Sequence, residues 1–380
     1  MKIVHAYKIY RPDVNGGIPA VIAMLCLYHT AGSTNEIVVA RRFGWFRKYL
    51  FDNATVTATT SFGTLFSTPL ALTFPSYLIG RAKMADILVH HAPFPLTDLA
   101  IAVGLPKSVS LIVYWHAEIV GRPFLKWLVS PLLRRTLRRA DKIVVSDAFV
   151  AQNSPLLSNY GKKTSVIPYG VDTQYWAAIT PAEQDVVDEL RSKYPRLLVA
   201  VGRLVPYKGY DVLLRAICNV DAQVVIIGDG PLRTKLEKLA VRLGVSNRVT
   251  IRGGLDRDKV KAHLHAARLL VMPSISEAEA FGIVQIEAMA AGRPVVNTSL
   301  ATAVPHIARH GIEGLTVSPN NSDALADALR QLLDHPVLAE KMGAAARSRA
   351  KAEYDEPRFL ERINSMYQEV RGQVRSASSD

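Results

Sequence analysis

The chain has 380 residues, 49% of them hydrophobic and 21% charged, with a formal net charge of +13. That length suggests two domains, each with room for its own core, and the composition excludes disordered, collagen-like and disulfide-scaffold classes. Runs of about 18 apolar residues are absent, so a membrane-spanning helix is not expected; the nearest stretch, 65–80, carries Pro69 and Pro75.

Charge is unevenly spread. Residues 1–180 hold 19 Lys/Arg against 9 Asp/Glu, while the remainder holds 27 against 24. A basic first half beside a near-neutral second half fits an anionic surface or acceptor for the first half alone. Cys26 and Cys218 lie far apart in apolar stretches and read as buried free thiols of a reducing compartment. The chain opens on the strand-like Lys2-Ile3-Val4-His5-Ala6, so no signal peptide is expected.

In chain order, residues 2–7, 36–40, 55–59, 86–90, 110–114, 142–146 and 165–168 read as strands, with helices over 21–29, 96–103 and 125–139. Between the first strand and a helix beginning near Pro19 stands Asn15-Gly16-Gly17. Two glycines there admit a phosphate or sugar close to the backbone, although a plain tight turn reads the same way. His116 ends the fifth strand, where a side chain points into the crevice in which parallel sheets bind ligands. With ten histidines in the chain, a structural role is the ordinary alternative. His90-His91 and Asp98 are weaker neighbours, and no further His, Cys or acidic residue at suitable spacing completes a metal site.

The stretch 121–139 interleaves Phe124, Leu125, Trp127 and Leu128 with Arg122, Lys126, Arg134, Arg135, Arg138 and Arg139. Such a helix can lie on an anionic bilayer or be a packed helix with an arginine-rich solvent face; no nucleic-acid motif accompanies it. Arg41-Arg42 and Arg47-Lys48, beside Phe43, Trp45 and Phe46, are expected to extend the same face.

A polar join at 172–196 precedes a second alternating series. Strands are expected at 197–201, 223–227, 248–251, 269–272, 294–297 and 315–317, with helices at 210–220, 232–243 and 259–267. Strands alternating with helices in both halves predict two parallel, doubly wound sheets. Residues 337–372 read as helical, and 376–380 as a frayed tail.

After the first strand of the second series comes Val201-Gly202-Arg203-Leu204-Val205-Pro206-Tyr207-Lys208-Gly209. Arg203 can fork onto phosphate oxygens and Lys208 adds a compact positive charge, although a solvated basic turn would look alike. Gly228-Asp229-Gly230-Pro231 reads as a turn, and the backbone of Arg252-Gly253-Gly254 as lining for a base pocket. Farther on, Glu277 and Glu279 sit in a loop, and a helix from Gly282 carries Ile283, Ile286, Met289 and Ala290 at helical spacing, with Glu287 about two turns in. Free amides near Phe281 to Val284 would favour phosphate, and a carboxylate at that entrance suits sugar hydroxyls. The combination points to a ligand with both phosphate and sugar.

Glu279 and Glu287, with Phe281-Gly282 between them and Glu287-Ala288-Met289 closing, resemble the Glu-x7-Glu signature of retaining glycosyltransferases, particularly family 4. Gly202-Arg203-Leu204 with Lys208-Gly209 is similar to that family's Gly-Arg-Leu-x-x-x-Lys-Gly. The resemblance runs along nearly the whole chain, strongest over 165–335. It implies the GT-B architecture, two Rossmann-like domains facing across a cleft: 1–172 binding acceptor, 173–355 binding nucleotide sugar, and 356–380 a helix crossing back with a tail. Pro168-Tyr169-Gly170-Val171-Asp172 would mark the hinge. Implied roles are Arg203 and Lys208 on the diphosphate with amides of Ile283 and Val284, Glu279 on sugar hydroxyls, and Glu287 on the ribose. His116 and Gly16-Gly17 would contact the sugar. The leaving phosphate would take the acceptor's proton, so no protein nucleophile is needed, and the basic residues would neutralise the diphosphate without a metal cofactor.

The expected partners are a nucleotide sugar, with GDP-mannose the leading choice, and a lipid-linked or lipopolysaccharide glycan. The place would be cytoplasmic, peripheral on an anionic membrane. Rival readings are a nucleotide-sugar epimerase of the same fold and a non-catalytic membrane-surface protein.

Overall fold

The computed structural model describes residues 1–14, 16–27, 33–65, 68–118 and 123–377. Asn15 and Arg122, named above, and parts of the stretches 21–29, 121–139 and 376–380 lie outside them. The chain divides into two α/β units, Met1–Pro168 with Phe359–Asp380, and Tyr169–Arg358. The division falls a few residues from the joins expected at 172/173 and 355/356.

The strands of unit 1 are β1 (Lys2–Tyr7), β2 (Thr34–Ala40), β3 (Arg47–Phe51), β4 (Ala54–Thr59), β5 (Thr64–Leu65), β6 (Thr68–Pro69), β7 (Ile87–Ala92), β8 (Ser110–Trp115), β9 (Lys142–Val145) and β10 (Thr164–Val166). Eight form one sheet in the order β10-β9-β8-β7-β1-β2-β4-β3, and β5 pairs with β6 apart from it. All neighbours are parallel except β3, which runs antiparallel to β4 at the edge. Parallel strands are covered on both faces and so read as unbroken apolar runs; β7 and β8 are buried at every position. Helices Phe74–Ala82, Pro95–Gly104 and Pro123–Arg139 pack in a row. Phe74, Leu78, Ile101, Leu133 and Leu137 from these helices share one core with β1, β7 and β8.

Several local expectations are corrected. Strand β3 was not anticipated; it is joined to β4 by Asp52 and Asn53, both at positive φ (50° and 55°), the backbone of a two-residue hairpin. The first helix spans Gly17–Leu27, so Gly17 is its first residue rather than a loop glycine. Cys26 is buried but Cys218 is exposed, against the expectation of two buried thiols. Phe43, Trp45 and Phe46 lie next to the β3 edge, whereas helix Pro123–Arg139 links β8 to β9 near the other end of the sheet. The two basic–aromatic patches therefore sit at opposite ends of the helical row and do not form one continuous patch.

Unit 2 contains β11 (Leu197–Val201), β12 (Gln223–Ile227), β13 (Val249–Arg252), β14 (Leu269–Val271), β15 (Val295–Thr298) and β16 (Gly314–Val317), all parallel, ordered β13-β12-β11-β14-β15-β16. This is the doubly wound order, with its switch point between β11 and β14. The polar join proves helical over Thr173–Ala177 and Pro181–Lys193. The second helix begins with a full capping box between Thr180 and Glu183, which satisfies two otherwise orphaned amides. Near the boundary, Val171 N donates to Tyr354 O (2.8 Å) and Glu356 N to Val171 O (2.9 Å). Thr173 Oγ1 donates to Asp355 Oδ1 (2.6 Å). The two segments that pass between the units are thus bonded to each other within unit 2.

Candidate active site

In unit 2 the loops after β11 and β14 are pressed together by glycine. Gly209 has φ +65°, and a Cβ there would stand 2.0 Å from Pro273 O; only glycine fits that contact. Ile275 N donates to Tyr207 O (2.8 Å) across the same seam. The turn after β12 closes from the other side, where a Cβ on Gly228 would meet Gly202 O at 2.1 Å.

This packing brings together residues distant in sequence. Lys208 Nζ lies 2.6 Å from Glu279 Oε2, with side chains 12% and 10% exposed, and Ser274 Oγ donates to the same oxygen at 3.1 Å. Tyr207 registers the local field. Burial pushes its phenol pKa up, Lys208 and Arg203 oppose that, and Glu279 adds to it. Arg203 itself is exposed. Tyr210 closes the floor with a buried hydroxyl that has no hydrogen-bond partner among the described residues.

The loop 279–284 is held from beneath. Phe281 packs edge-on against Tyr169 with ring centroids 4.7 Å apart. Gln285 Nε2 donates to Phe281 O (3.1 Å), and Asn297 Nδ2 donates to Gln285 Oε1 (2.9 Å). Gly282 has φ +78°, and a Cβ there would crowd Met272 Sδ at 2.7 Å. The helix that follows spans only Val284–Ala290, starting later than expected, so Glu287 is in its first turn and not two turns in. Among the described residues, the amides of Phe281, Gly282, Ile283 and Val284 donate to no protein group. Burial lifts the Glu287 carboxyl to about 7, with Arg257 pulling the other way.

In unit 1, His116 follows β8 and is 4% exposed. Its Nε2 lies 2.8 Å from His91 Nδ1. Burial first, then His90 and Lys8, hold its pKa down to about 3, so it is a neutral imidazole under physiological conditions. His90 Nε2 lies 3.2 Å from buried Asp98 Oδ1. Gly16 has neither a positive φ nor any atom within 4 Å of a would-be Cβ; the protein's own packing does not require glycine there. Among the described residues, no group of three His, Cys, Asp or Glu side chains could hold a metal.

Sequence reasoning singled out Arg203, Lys208, Glu279, Phe281, Gly282, Ile283, Val284 and Glu287, and the structure gathers Lys208 with Glu279 and places Phe281 to Ile283 in the loop that runs into the helix carrying Val284 and Glu287. It missed Ser274, Gln285, Asn297 and Tyr210. Asn297 and Gln285 carried a signal, as amides within apolar runs must find partners when buried.

A sheet order of this kind, with cations and a carboxylate at the switch point, defines a nucleotide-handling α/β enzyme with two Rossmann-like units. The chain matches the family described as Glycosyltransferase Family 4 over residues 15–175 and Glycosyl transferases group 1 over 182–349. It is 32% identical over 352 residues to D-rhamnosyltransferase WbpZ of Pseudomonas aeruginosa, covering 92% of this chain and 91% of that one. It is 27% identical over 372 residues to O-antigen chain mannosyltransferase C of Escherichia coli, covering 97% and 98%. Among solved structures, Anabaena Alr3699/HepE in complex with UDP and glucose shares the fold with a TM-score of 0.79 at 18% identity, covering 97% of this chain and all of that one. The protein belongs to the family 4, group 1 glycosyltransferases and is a glycosyltransferase enzyme.

Proposed function

We propose that the protein transfers a hexose, with retention at the anomeric carbon, from a nucleoside-diphosphate sugar to a hydroxyl of a lipid-linked or lipopolysaccharide glycan. The observation that carries this reading is the Lys208–Glu279 pair at the β11/β14 switch point, beside the amides of 281–284. Cleaving the sugar–phosphate bond leaves negative charge on the departing diphosphate, and preorganised cations at that place lower the barrier. An arriving diphosphate competes for Lys208 and, with Arg203, draws its charge off Glu279. Glu279 then accepts hydroxyls of the sugar. Glu287 accepts from the ribose, and His116 and the Gly16-Gly17 backbone contact the sugar. The acceptor oxygen bonds to the anomeric carbon as the carbon–oxygen bond to phosphate breaks, and the acceptor's proton passes to the leaving phosphate.

GDP-mannose is the leading donor. A GDP-linked 6-deoxymannose is the second reading, favoured by the similarity to a D-rhamnosyltransferase, since D-rhamnose differs from D-mannose by one missing hydroxyl. Peripheral membrane contact is supported by exposed Phe124, Trp127 and Leu128 beside exposed Arg134, Arg135 and Arg138. No helix of the described residues is long and apolar enough to cross a bilayer.

A thermal-shift series over GDP-, UDP- and ADP-sugars tests the donor, because a ligand that binds only the folded state raises Tm. The GDP sugars are expected to give the largest shift, and product NMR is expected to show the donor's anomeric configuration. An inverted product, or conversion of donor to another nucleotide sugar without acceptor, sinks the proposal.

A further inference from the structure

Three imidazoles cross the unit 1 sheet in a single row. His5 on β1 is opposite Val89 on β7, and His91, two residues on, is opposite Tyr114 on β8. Side chains two residues apart share a face, so His5, His91 and His116 project to the same side. His5 Nδ1 lies 3.1 Å from His91 Nε2, and His91 Nδ1 lies 2.8 Å from His116 Nε2. The ring centroids are 5.4 and 5.1 Å apart, with interplanar angles of 24° and 11°. Each centroid separation exceeds its nitrogen–nitrogen distance by about one ring width, so the rings meet edge to edge in nearly one plane.

A neutral imidazole carries one N–H and one bare nitrogen. In a row joined nitrogen to nitrogen, the choice made at one end dictates the others. Burial keeps all three neutral, holding His116 at about 3, His5 at about 4 and His91 well below its usual value. The far end is governed by Asn35. Its Nδ2 donates to Cys26 O (3.3 Å), which fixes the amide's orientation and leaves Oδ1 as the acceptor. Asn35 is opposite Ile3 and therefore on the His5 side of the sheet, and its amide interacts with the His5 ring. Asn35 Oδ1 and His5 Nε2 are both buried, and neither has a hydrogen-bond partner among the described residues.

We propose that Asn35, His5 and His91 are positioning residues that fix the tautomer of His116. Asn35 Oδ1 accepts from His5 Nε2–H, His5 Nδ1 accepts from His91 Nε2–H, and His91 Nδ1 accepts from His116 Nε2–H. His116 is thereby held in the Nε2–H form, with Nδ1 suited to accept a hydrogen bond from a hydroxyl of the donor sugar. The catalytic consequence rests on the proposed sugar contact of His116; the relay itself does not.

The test is ring 15N–1H correlation spectroscopy on the full-length protein labelled at histidine, with signals assigned by single His variants. The wild type is expected to show His116 in the Nε2–H form. His91→Phe keeps an aromatic ring but removes both bonds. It should leave His116 as a mixture of tautomers and lower kcat/KM at least about tenfold, the order seen when a supporting partner is lost. Should that variant not fold, Asn35→Leu reads the same spectrum, and Asn35→Asp, which still accepts from His5, should restore the wild-type pattern. A wild-type Nδ1–H tautomer, or an unchanged His116 spectrum in His91→Phe or Asn35→Leu, overturns the relay. Full transfer activity in His116→Ala would instead overturn the sugar contact, leaving the spectrum to decide the relay alone.

Discussion

Lys208 Nζ and Glu279 Oε2 stand 2.6 Å apart, nearly enclosed, although they belong to loops after different strands. Removing one partner of such a pair leaves the other charge buried without compensation. Lys208→Ala is therefore expected to cost about 3 kcal/mol of stability, read by urea unfolding. The double variant Lys208→Met, Glu279→Leu should recover most of that loss and remain inactive. A loss in the double variant equal to the sum of the separate Lys208→Met and Glu279→Leu losses would show that the pair is not coupled.

Glu287 makes stability depend on pH. Its carboxyl is lifted from 4.5 to about 7 by burial, so between those values the folded state holds a proton that the unfolded chain has released. Its contribution is greatest below pH 4.5, falls as pH rises towards 7, and is flat above. The span is at most about 3 kcal/mol. Glu287→Gln should flatten that part of the stability profile and be more stable than the wild type at pH 8. A profile unchanged by the substitution would place Glu287 in solvent.

Two glycines make opposite predictions. Gly209→Ala drives a Cβ into Pro273 O at a positive φ and should cost several kcal/mol or prevent folding. Gly16→Ala meets nothing within 4 Å, so Tm should move by about a degree or less, within the usual range of an exposed substitution. If a ligand approaches that backbone, donor KM should nevertheless rise. Wild-type KM in Gly16→Ala would remove the glycine loop from the donor site.

The two cysteines should differ in reactivity. Cys218 is exposed, whereas Cys26 is buried with its thiol pKa pushed up by burial and by Asp52. The thiolate is the reactive form, so a thiol reagent is expected to label one cysteine in the native protein and both in denaturant. Rapid labelling of Cys26 in the native protein would mean that the unit 1 core opens readily.

Much of this protein was legible in its sequence because the evidence was local. Apolar runs spaced by amphipathic stretches give away parallel α/β units, since strands covered on both faces cannot alternate polar with apolar. Gly202-Arg203-Leu204 with Lys208-Gly209, and Glu279 with Glu287, stand close enough in sequence to be seen as motifs. Some local signals were present and overlooked. Thr180-Pro181-Ala182-Glu183 spells a capping box inside what looked like a polar join, and Asp52-Asn53 marks a hairpin turn.

Other features belonged to the tertiary structure alone, because strand order is set by packing between residues far apart in the chain. Nothing local says that β14 lies beside β11 and not beside β13, yet that adjacency brings Lys208 to Glu279. Nothing local says that β7 separates β1 from β8, so His90-His91 reads as a weak metal pair until the sheet sets His91 between His5 and His116. Sequence determined which residue types were available at the strand ends. The order in which the strands lie decided which of them could exchange hydrogen bonds, since those bonds act only within about 3 Å.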